Sequence, residues 1–179
     1  DRNMMSKVDA NLKDAVRAFT LNYGDTSVYL DRALEHDPRN RMAILLKAWI
    51  LVLSNDGISL AKASKSIADL KMEQLNYREN AHLSALQLAA KNQWPSAVSV
   101  LDRHLMEDPH DLAGHQCALR LDGYQGRFHR EAARAARALP FWSKNDPDYG
   151  IMLSFYGFGL EELGDFSRAE DVSREAAEL

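Results

Sequence analysis

A bulky apolar residue recurs along this chain at nearly constant intervals. Successive occurrences lie roughly 34 to 38 positions apart, as in helical-repeat proteins. A period of about 34 residues is long enough for two helices and the turns that join them. The chain is therefore predicted to be a row of similar helix hairpins, each stacked on its neighbours. The recurring residues are Tyr23, Ile58, Trp94, Phe128 and Phe166.

Two segments of the chain repeat the same pattern at the same offsets. Counted from the bulky residue, the matching positions have the offsets 3, 7, 10 and 15 in both segments, and both end in Asp-Pro. Proline stops a helix and restricts the residue before it, so each segment is expected to be the second helix of a hairpin. The two sets are Tyr23, Thr26, Leu30, Ala33, Pro38 and Trp94, Ala97, Leu101, His104, Pro109.

Each repeated position has an expected role in packing. The bulky residue is predicted to open the second helix and to fill the gap between the two helices of its hairpin. A small residue in the contact then lets the helices approach closely. Exposure of both Trp94 and Phe166 to solvent, or a strand between them, would contradict this interpretation. The small residues are Ala61, Ala97 and Ala169 on second helices and Gly157 on a first helix.

Hairpins of this length are typical of tetratricopeptide repeats. We therefore predict an all-α fold, a right-handed solenoid of about five tetratricopeptide-type hairpins that forms a single domain over residues 1–179. Turn-forming residues separate the paired helices, and one longer connection runs from residue 140 to 147. The turn residues are Gly24, Asn55, Asn92, Gly126 and Gly164, and the helices are expected near 6–22, 25–36, 40–54, 58–70, 76–91, 95–107, 111–123, 127–138, 148–163 and 166–179.

Composition and charge narrow the possible partners and location. The net charge is −4 without a polybasic run, which argues against nucleic acid or an anionic membrane as the main partner. The strongest apolar run, residues 42–53, is broken by Lys47 and is too short to span a bilayer. The single cysteine, Cys117, has no internal partner for a disulfide, which favours a reducing compartment. A cytoplasmic protein is expected.

One stretch is more distinctive than the general repeat. A Pro140-Phe141-Trp142 turn precedes a helix that contains Tyr156-Gly157-Phe158-Gly159-Leu160-Glu161, and an earlier helix contains residues 78–82, Arg-Glu-Asn-Ala-His. In these features the chain resembles the family of tetratricopeptide repeat protein 38. The resemblance implies a helical-repeat scaffold with no assigned reaction, and further repeats beyond this chain. We therefore expect the chain to be an N-terminal portion of a longer protein.

No residue pattern in the chain predicts a catalytic, cofactor or metal site. The six histidines include no pair spaced three or four residues apart on one helix, as a zinc site on a helix face requires. Cys117 lies in the interior of a predicted helix, where a buried thiol is the usual occupant. Glu161, Glu162 and Asp165 are interpreted as a solvated helix end and turn, and no phosphate-binding loop is present. The chain is therefore predicted not to be an enzyme.

A row of arginines follows the fourth bulky residue. Arg127, Arg130, Arg134 and Arg137 are spaced three, four and three residues apart, so they are predicted to share one face of the eighth helix. Such a face could attract an acidic peptide or a phosphate. The preferred interpretation is a solvated face on which Glu131 pairs with Arg134 or Arg127.

The predicted architecture favours a scaffold for protein–protein interaction, because stacked hairpins form a concave groove lined by their first helices. The expected partner is a protein or peptide in that groove. One alternative is a non-catalytic part of an enzyme whose active site lies in later repeats. Another is self-association through exposed terminal repeats. The helix period nominates seven groove-facing residues: Lys47, Glu79, His82, Gln116, Arg120, Ser154 and Glu161.

Overall fold

The structure, a computed structural model, describes the backbone of residues 2–179 and the side chains of residues 4–179. Over these residues it contains ten α-helices and no β-strand, which confirms the all-α prediction. Each helix begins and ends within four residues of its expected position. Short 3₁₀ helices span Met72–Gln74 and Leu139–Phe141. The helices are α1 (Arg2–Leu21), α2 (Thr26–His36), α3 (Arg41–Leu53), α4 (Gly57–Ile67), α5 (Tyr77–Ala89), α6 (Trp94–Glu107), α7 (Leu112–Tyr124), α8 (Arg130–Ala138), α9 (Tyr149–Glu162) and α10 (Phe166–Ala177).

The five predicted hairpin turns all contain a residue in the left-handed backbone region. Glycine and asparagine adopt positive φ at lower cost than other residues and commonly end a helix in this way. The first helix of each pair therefore stops where the sequence indicates, and the chain reverses to start the second. The predicted turn residues with positive φ are Gly24 (76°), Asn55 (54°), Asn92 (58°), Gly126 (66°) and Gly164 (78°).

Side chains that cap the backbone fix the starts of four successive helices. Asp25, Asn40, Asp56 and Asn76 each accept a hydrogen bond from a backbone N–H in the first turn of α2, α3, α4 and α5, at 2.9–3.0 Å. The α5 start is a capping box, because the Glu79 carboxylate accepts the backbone N–H of Asn76 at 2.9 Å. These caps explain why the helix boundaries could be predicted from local sequence.

The chain divides into two compact units, residues 1–100 and 101–179, with the boundary inside α6. Residue 1 lies outside the part that the structure describes. In the first unit α1 packs on α2, α2 on α3, and α3 on both α4 and α5. Leu45 and Trp49 of α3 are fully buried, and α3 is apolar on nearly every side. A helix that is apolar all round belongs in a core, so α3 is the centre of this unit.

In the second unit α9 packs on α8 and on α10. Glycines allow both contacts. A Cβ on Gly159 would lie 2.2 Å from the backbone nitrogen of Ala132 in α8, and a Cβ on Gly157 would lie 2.9 Å from Ser173 Oγ in α10. The predicted close contact at Gly157 is confirmed. The still closer approach at Gly159 was not predicted.

The role predicted for the bulky residues is wrong at three of their five positions. Tyr23, Ile58 and Phe166 are 81%, 72% and 67% exposed, whereas Trp94 is half-buried. Helical side chains lean toward the N-terminus of their helix. A residue in the first turn of a second helix therefore leans past the end of the hairpin instead of between its helices.

Phe128 is the bulky residue that does fill a gap. It precedes α8 and packs on α7 so closely that a Cβ on Gly123 would lie 2.4 Å from the phenyl ring. In one hairpin the small buried residue is not the one that the sequence predicts. Ala97 and Ala169 are buried as predicted, but Ala61 is exposed and Ala63 is buried in its place.

Candidate functional site

Buried charges are concentrated in the second unit around Arg134 of α8. The Arg134 side chain is 2% exposed and donates hydrogen bonds to three carboxylates. Its Nε lies 2.7 Å from Asp102 Oδ1, its Nη2 lies 2.5 Å from Asp122 Oδ2, and its Nη1 lies 2.5 Å from Glu131 Oε2. A buried guanidinium is stable only when its donors are satisfied in this way.

Arg130 completes what we call the charge cluster: Asp102, Asp122, Arg130, Glu131 and Arg134. Arg130 Nη2 donates to Asp102 Oδ2 at 3.1 Å, and its Nη1 lies 3.3 Å from Asp122 Oδ1. Both aspartates therefore bridge two arginines. The cluster joins α6, α7 and α8 within the second unit.

These contacts correct the prediction for the arginine row. Arg134 is buried, so the row is not a solvated face. Arg127 lies in the turn before α8 and is not part of the helix. The predicted pairing of Glu131 with Arg134 is confirmed. The prediction missed the two aspartates from other helices, which together with Glu131 compensate the buried charge of Arg134.

Glu131 differs from the other carboxylates of the cluster. Its side chain has no solvent exposure, and its Oε1 has no hydrogen-bond partner among the described residues. Burial raises the pKa of Glu131 to about 7, although the Arg134 guanidinium opposes the shift. Burial opposes the charge on Arg134, but Glu131 and the two aspartates raise the pKa of its guanidinium overall. Arg134 therefore stays charged while Glu131 exchanges its proton near neutral pH.

A pocket of about 290 Å³ lies beside the charge cluster. Arg137 at its edge is 54% exposed, and its Nη2 lies 4.0 Å from Asp102 Oδ1. Met106 and Phe141 are large apolar residues that remain 60% and 63% exposed. We call this the α8 pocket. It is lined by Asp102, Leu105, Met106, Arg134, Arg137 and Phe141.

The segment after α8 holds Phe141 at the pocket. The 3₁₀ helix Leu139–Phe141 continues directly from α8 and ends before Trp142. The Trp142 ring stacks on His110, with 4.6 Å between ring centroids, and its Nε1 donates to the Pro109 carbonyl at 3.0 Å. The tryptophan thus anchors the connection on the start of α7 while the neighbouring phenylalanine faces solvent.

Two histidines of the second unit take part in buried contacts. His104 Nε2 lies 2.7 Å from Asp111 Oδ2. His115 Nε2 lies 3.2 Å from the Pro109 carbonyl, and burial lowers the pKa of His115 to about 4. Cys117 is fully buried in α7 as predicted, and burial raises the pKa of its thiol.

The seven predicted groove residues have different surroundings. In the first unit, His82 is fully buried and accepts a 2.9 Å hydrogen bond from Trp49 Nε1. Gln116 in the second unit is also buried. Because both side chains are buried, neither is accessible to a partner in this structure.

The other five residues have access to solvent. Lys47 pairs with Asp31 at 2.5 Å, and Glu79 belongs to the capping box of α5. In the second unit, Arg120, Ser154 and Glu161 are exposed. In the first unit, Lys47 and Glu79 are therefore accessible, whereas His82 is not.

The chain matches no protein-family model and no solved structure. Among the described residues, no helix is both long and apolar enough to cross a bilayer. The functional argument therefore depends on the geometry of the site.

The geometry of the α8 pocket and the charge cluster suits ligand binding more than proton transfer. Apart from Arg137, the charges next to the α8 pocket are paired with one another by hydrogen bonds. Glu131 has a perturbed pKa, as catalytic acids and bases often do, but its side chain is buried and does not line the pocket. The exposed groups at the pocket are the apolar Met106 and Phe141 and the guanidinium of Arg137.

Proposed function

We propose that this chain is a non-catalytic scaffold of tetratricopeptide-type repeats that binds a protein partner. Contacts inside each unit support the repeat. In the first unit α3 packs on α5, and in the second unit His115 of α7 contacts the Phe155 ring of α9. Such contact between successive first helices is what a row of stacked hairpins requires. A right-handed solenoid is the architecture we propose, in agreement with the resemblance to the tetratricopeptide repeat protein 38 family.

The observation that carries the binding function is the α8 pocket. Phe141 and Met106 expose most of their apolar side chains next to a concave surface. Covering a large apolar side chain contributes about 1.5–3 kcal/mol, and aromatic residues in such positions often dominate an interface. Methionine adapts its shape to different partners. A protein segment that inserts an apolar side chain here would cover both residues.

The predicted groove remains a proposal for a second contact surface, made for each unit separately. Its accessible members are Lys47 and Glu79 in the first unit and Arg120, Ser154 and Glu161 in the second. We also propose a cytoplasmic location, since a reducing compartment suits a protein whose single cysteine, Cys117, is buried without a disulfide.

Selection of peptides tests the binding function. The full chain would be immobilised and used to select from a phage-displayed library of short random peptides, and the selected peptides would be titrated by fluorescence anisotropy. Phe141→Ala should weaken binding about 10-fold or more, since it removes most of an aromatic contact worth roughly 1.5–3 kcal/mol.

Phe166→Ala is the matched control, because Phe166 is a similarly exposed phenylalanine of the same unit that does not line the pocket. It should leave the affinity unchanged. The proposed function is wrong if no peptide binds with micromolar affinity, or if Phe141→Ala and Phe166→Ala have equal effects.

A further inference from the structure

We propose that the α8 pocket recognises a protein segment in which a large apolar side chain lies beside a carboxylate, and that Arg137 binds this carboxylate. The inference deepens the proposed binding function and rests on it. It concerns the second helices α6 and α8, whereas the seven predicted groove residues all lie on first helices.

The first argument comes from how the arginines share Asp102. Its Oδ1 accepts a hydrogen bond from Arg134 at 2.7 Å, and its Oδ2 accepts one from Arg130 at 3.1 Å. Arg137 is 4.0 Å away, beyond hydrogen-bond distance. The two closer arginines have therefore taken the best positions on the Asp102 carboxylate. The Arg137 guanidinium keeps its donors for another acceptor.

The second argument is the balance of charge at the pocket. Arg130 and Arg134 each donate hydrogen bonds to at least two carboxylates of the charge cluster, whereas Arg137 Nη2 lies 4.0 Å from Asp102 Oδ1. Arg137 is therefore the least neutralised positive charge at the pocket. A ligand carboxylate there would complete the pairing, and the planar fork of arginine matches a carboxylate with two parallel hydrogen bonds.

The third argument is that the remaining walls are apolar. Leu105, Met106 and Phe141 make up the apolar part of the pocket lining. A volume of about 290 Å³ lies at the lower end of the range for ligand pockets, which suits one large side chain better than a whole cofactor. Apolar walls do not complement a chain of phosphates, so a protein segment fits better than a nucleic acid.

The geometry also explains why Arg137 can bind the carboxylate of a ligand and Arg134 cannot. Arg134 is locked by three carboxylates and is 2% exposed, so it contributes a fixed wall. Arg137 follows it by three residues on the same helix face and is exposed. The charge cluster therefore holds α8 in place, and the next arginine along that face is presented to the ligand.

The test uses the selected peptides labelled with fluorescein. Each acidic residue next to a large apolar residue is replaced by its amide, Glu→Gln or Asp→Asn, and both forms are titrated by anisotropy against the full chain. The wild-type chain should bind the acidic form about 10-fold more tightly. Arg137→Gln should bind the two forms equally, and Arg137→Lys should restore part of the difference.

Arg174→Gln is the matched control, because Arg174 lies on α10, is exposed and pairs with Glu170 at 2.7 Å. This variant should prefer the acidic form of the peptides over the amide form by the same factor as the wild type. The inference is overturned if the selected peptides carry no excess of acidic residues, or if the amide change weakens binding equally in the wild type and in Arg137→Gln.

The two proposals fail in different ways. Peptides that bind through Phe141 without any preference for a carboxylate would overturn the role of Arg137 and leave the binding function standing. Peptides whose affinity does not depend on Phe141, or a library that gives no binders, would overturn both.

Discussion

Replacing Glu131 by glutamine should remove a large pH dependence of folding. Burial raises the pKa of this carboxyl from 4.5 to about 7. Between these values the folded chain keeps a proton that the unfolded chain has lost. The folded state therefore binds more protons, so the free energy of unfolding falls as pH rises through this interval. Below pH 4.5 the stabilisation is fully present, and above pH 7 it has been lost.

The magnitude follows from the separation of the two pKa values. They differ by about 2.5 pH units, and each unit corresponds to about 1.4 kcal/mol, so about 3 kcal/mol is lost across the interval. Glutamine has nearly the same shape and does not titrate. Its amide oxygen can accept the hydrogen bond from Arg134, which also keeps Asp102 and Asp122 as partners.

Urea unfolding at pH 5, 6, 7 and 8 measures the effect. The stability of the wild type minus that of Glu131→Gln should fall by about 2–3 kcal/mol over this range. Groups that titrate in both proteins, such as the histidines, cancel in the difference. Glu170→Gln is the control, because Glu170 is exposed and its pairing with Arg174 contributes little in water.

A difference that stays constant with pH would refute the assignment of a raised pKa to Glu131. A constant difference is also what a pKa held below 4.5 by Arg134 would give, because the carboxyl would then be ionised in the folded and the unfolded chain throughout this range.

Two further predictions concern the packing of the second unit. Burial lowers the pKa of His115 from 6.5 to about 4. The free energy of unfolding should therefore fall by about 3 kcal/mol as the pH falls from 6.5 toward 4. Urea unfolding of His115→Gln at pH 4–7 should not show this loss. Gly159→Ala should destabilise the chain by roughly 2–4 kcal/mol, because its Cβ would meet the backbone of Ala132 at 2.2 Å. Gly157→Ala meets the rotatable Ser173 hydroxyl at 2.9 Å and should cost less, so equal changes in the two thermal unfolding midpoints would contradict the geometry.

Local signals were sufficient to predict the helices and their turns. Asn55, Asn92 and Gly164 each end a helix because the residue itself adopts a positive φ. Asp56 and Asn76 then cap the next helix through contacts only three residues away. These interactions join residues that are close in sequence, so they can be recognised without knowing how the helices pack.

The bulky residues show where such reasoning fails. Each of them lies within three residues of the start of a helix, yet Ile58 and Phe166 face solvent while Ala63 and Ala169 are buried. The spacing of a residue along the chain does not tell which way its side chain leans relative to the neighbouring helix. Only the approach of the two helices decides that, and small residues permit the closest approach.

The candidate site could be predicted in part. The arginines of α8 were identified, and so was the pairing of Glu131 with Arg134. Asp122 lies on the preceding helix, across one hairpin turn from Arg134, so a search for acidic residues on α7 could have found it. Asp102 lies two helices earlier, on α6, and nothing local connects it with the arginines.

Over the residues that the structure describes, the sequence by itself determined ten helices and five turns, because helix periodicity, caps and left-handed turn residues act over a few residues. The tertiary structure decided which charges are neutralised and where an apolar surface stays open. Charge pairing depends on distances between residues that are far apart in sequence, so the same arginine row could have faced water. Packing against Asp102 and Asp122 buried Arg134 and left Arg137 exposed beside Phe141.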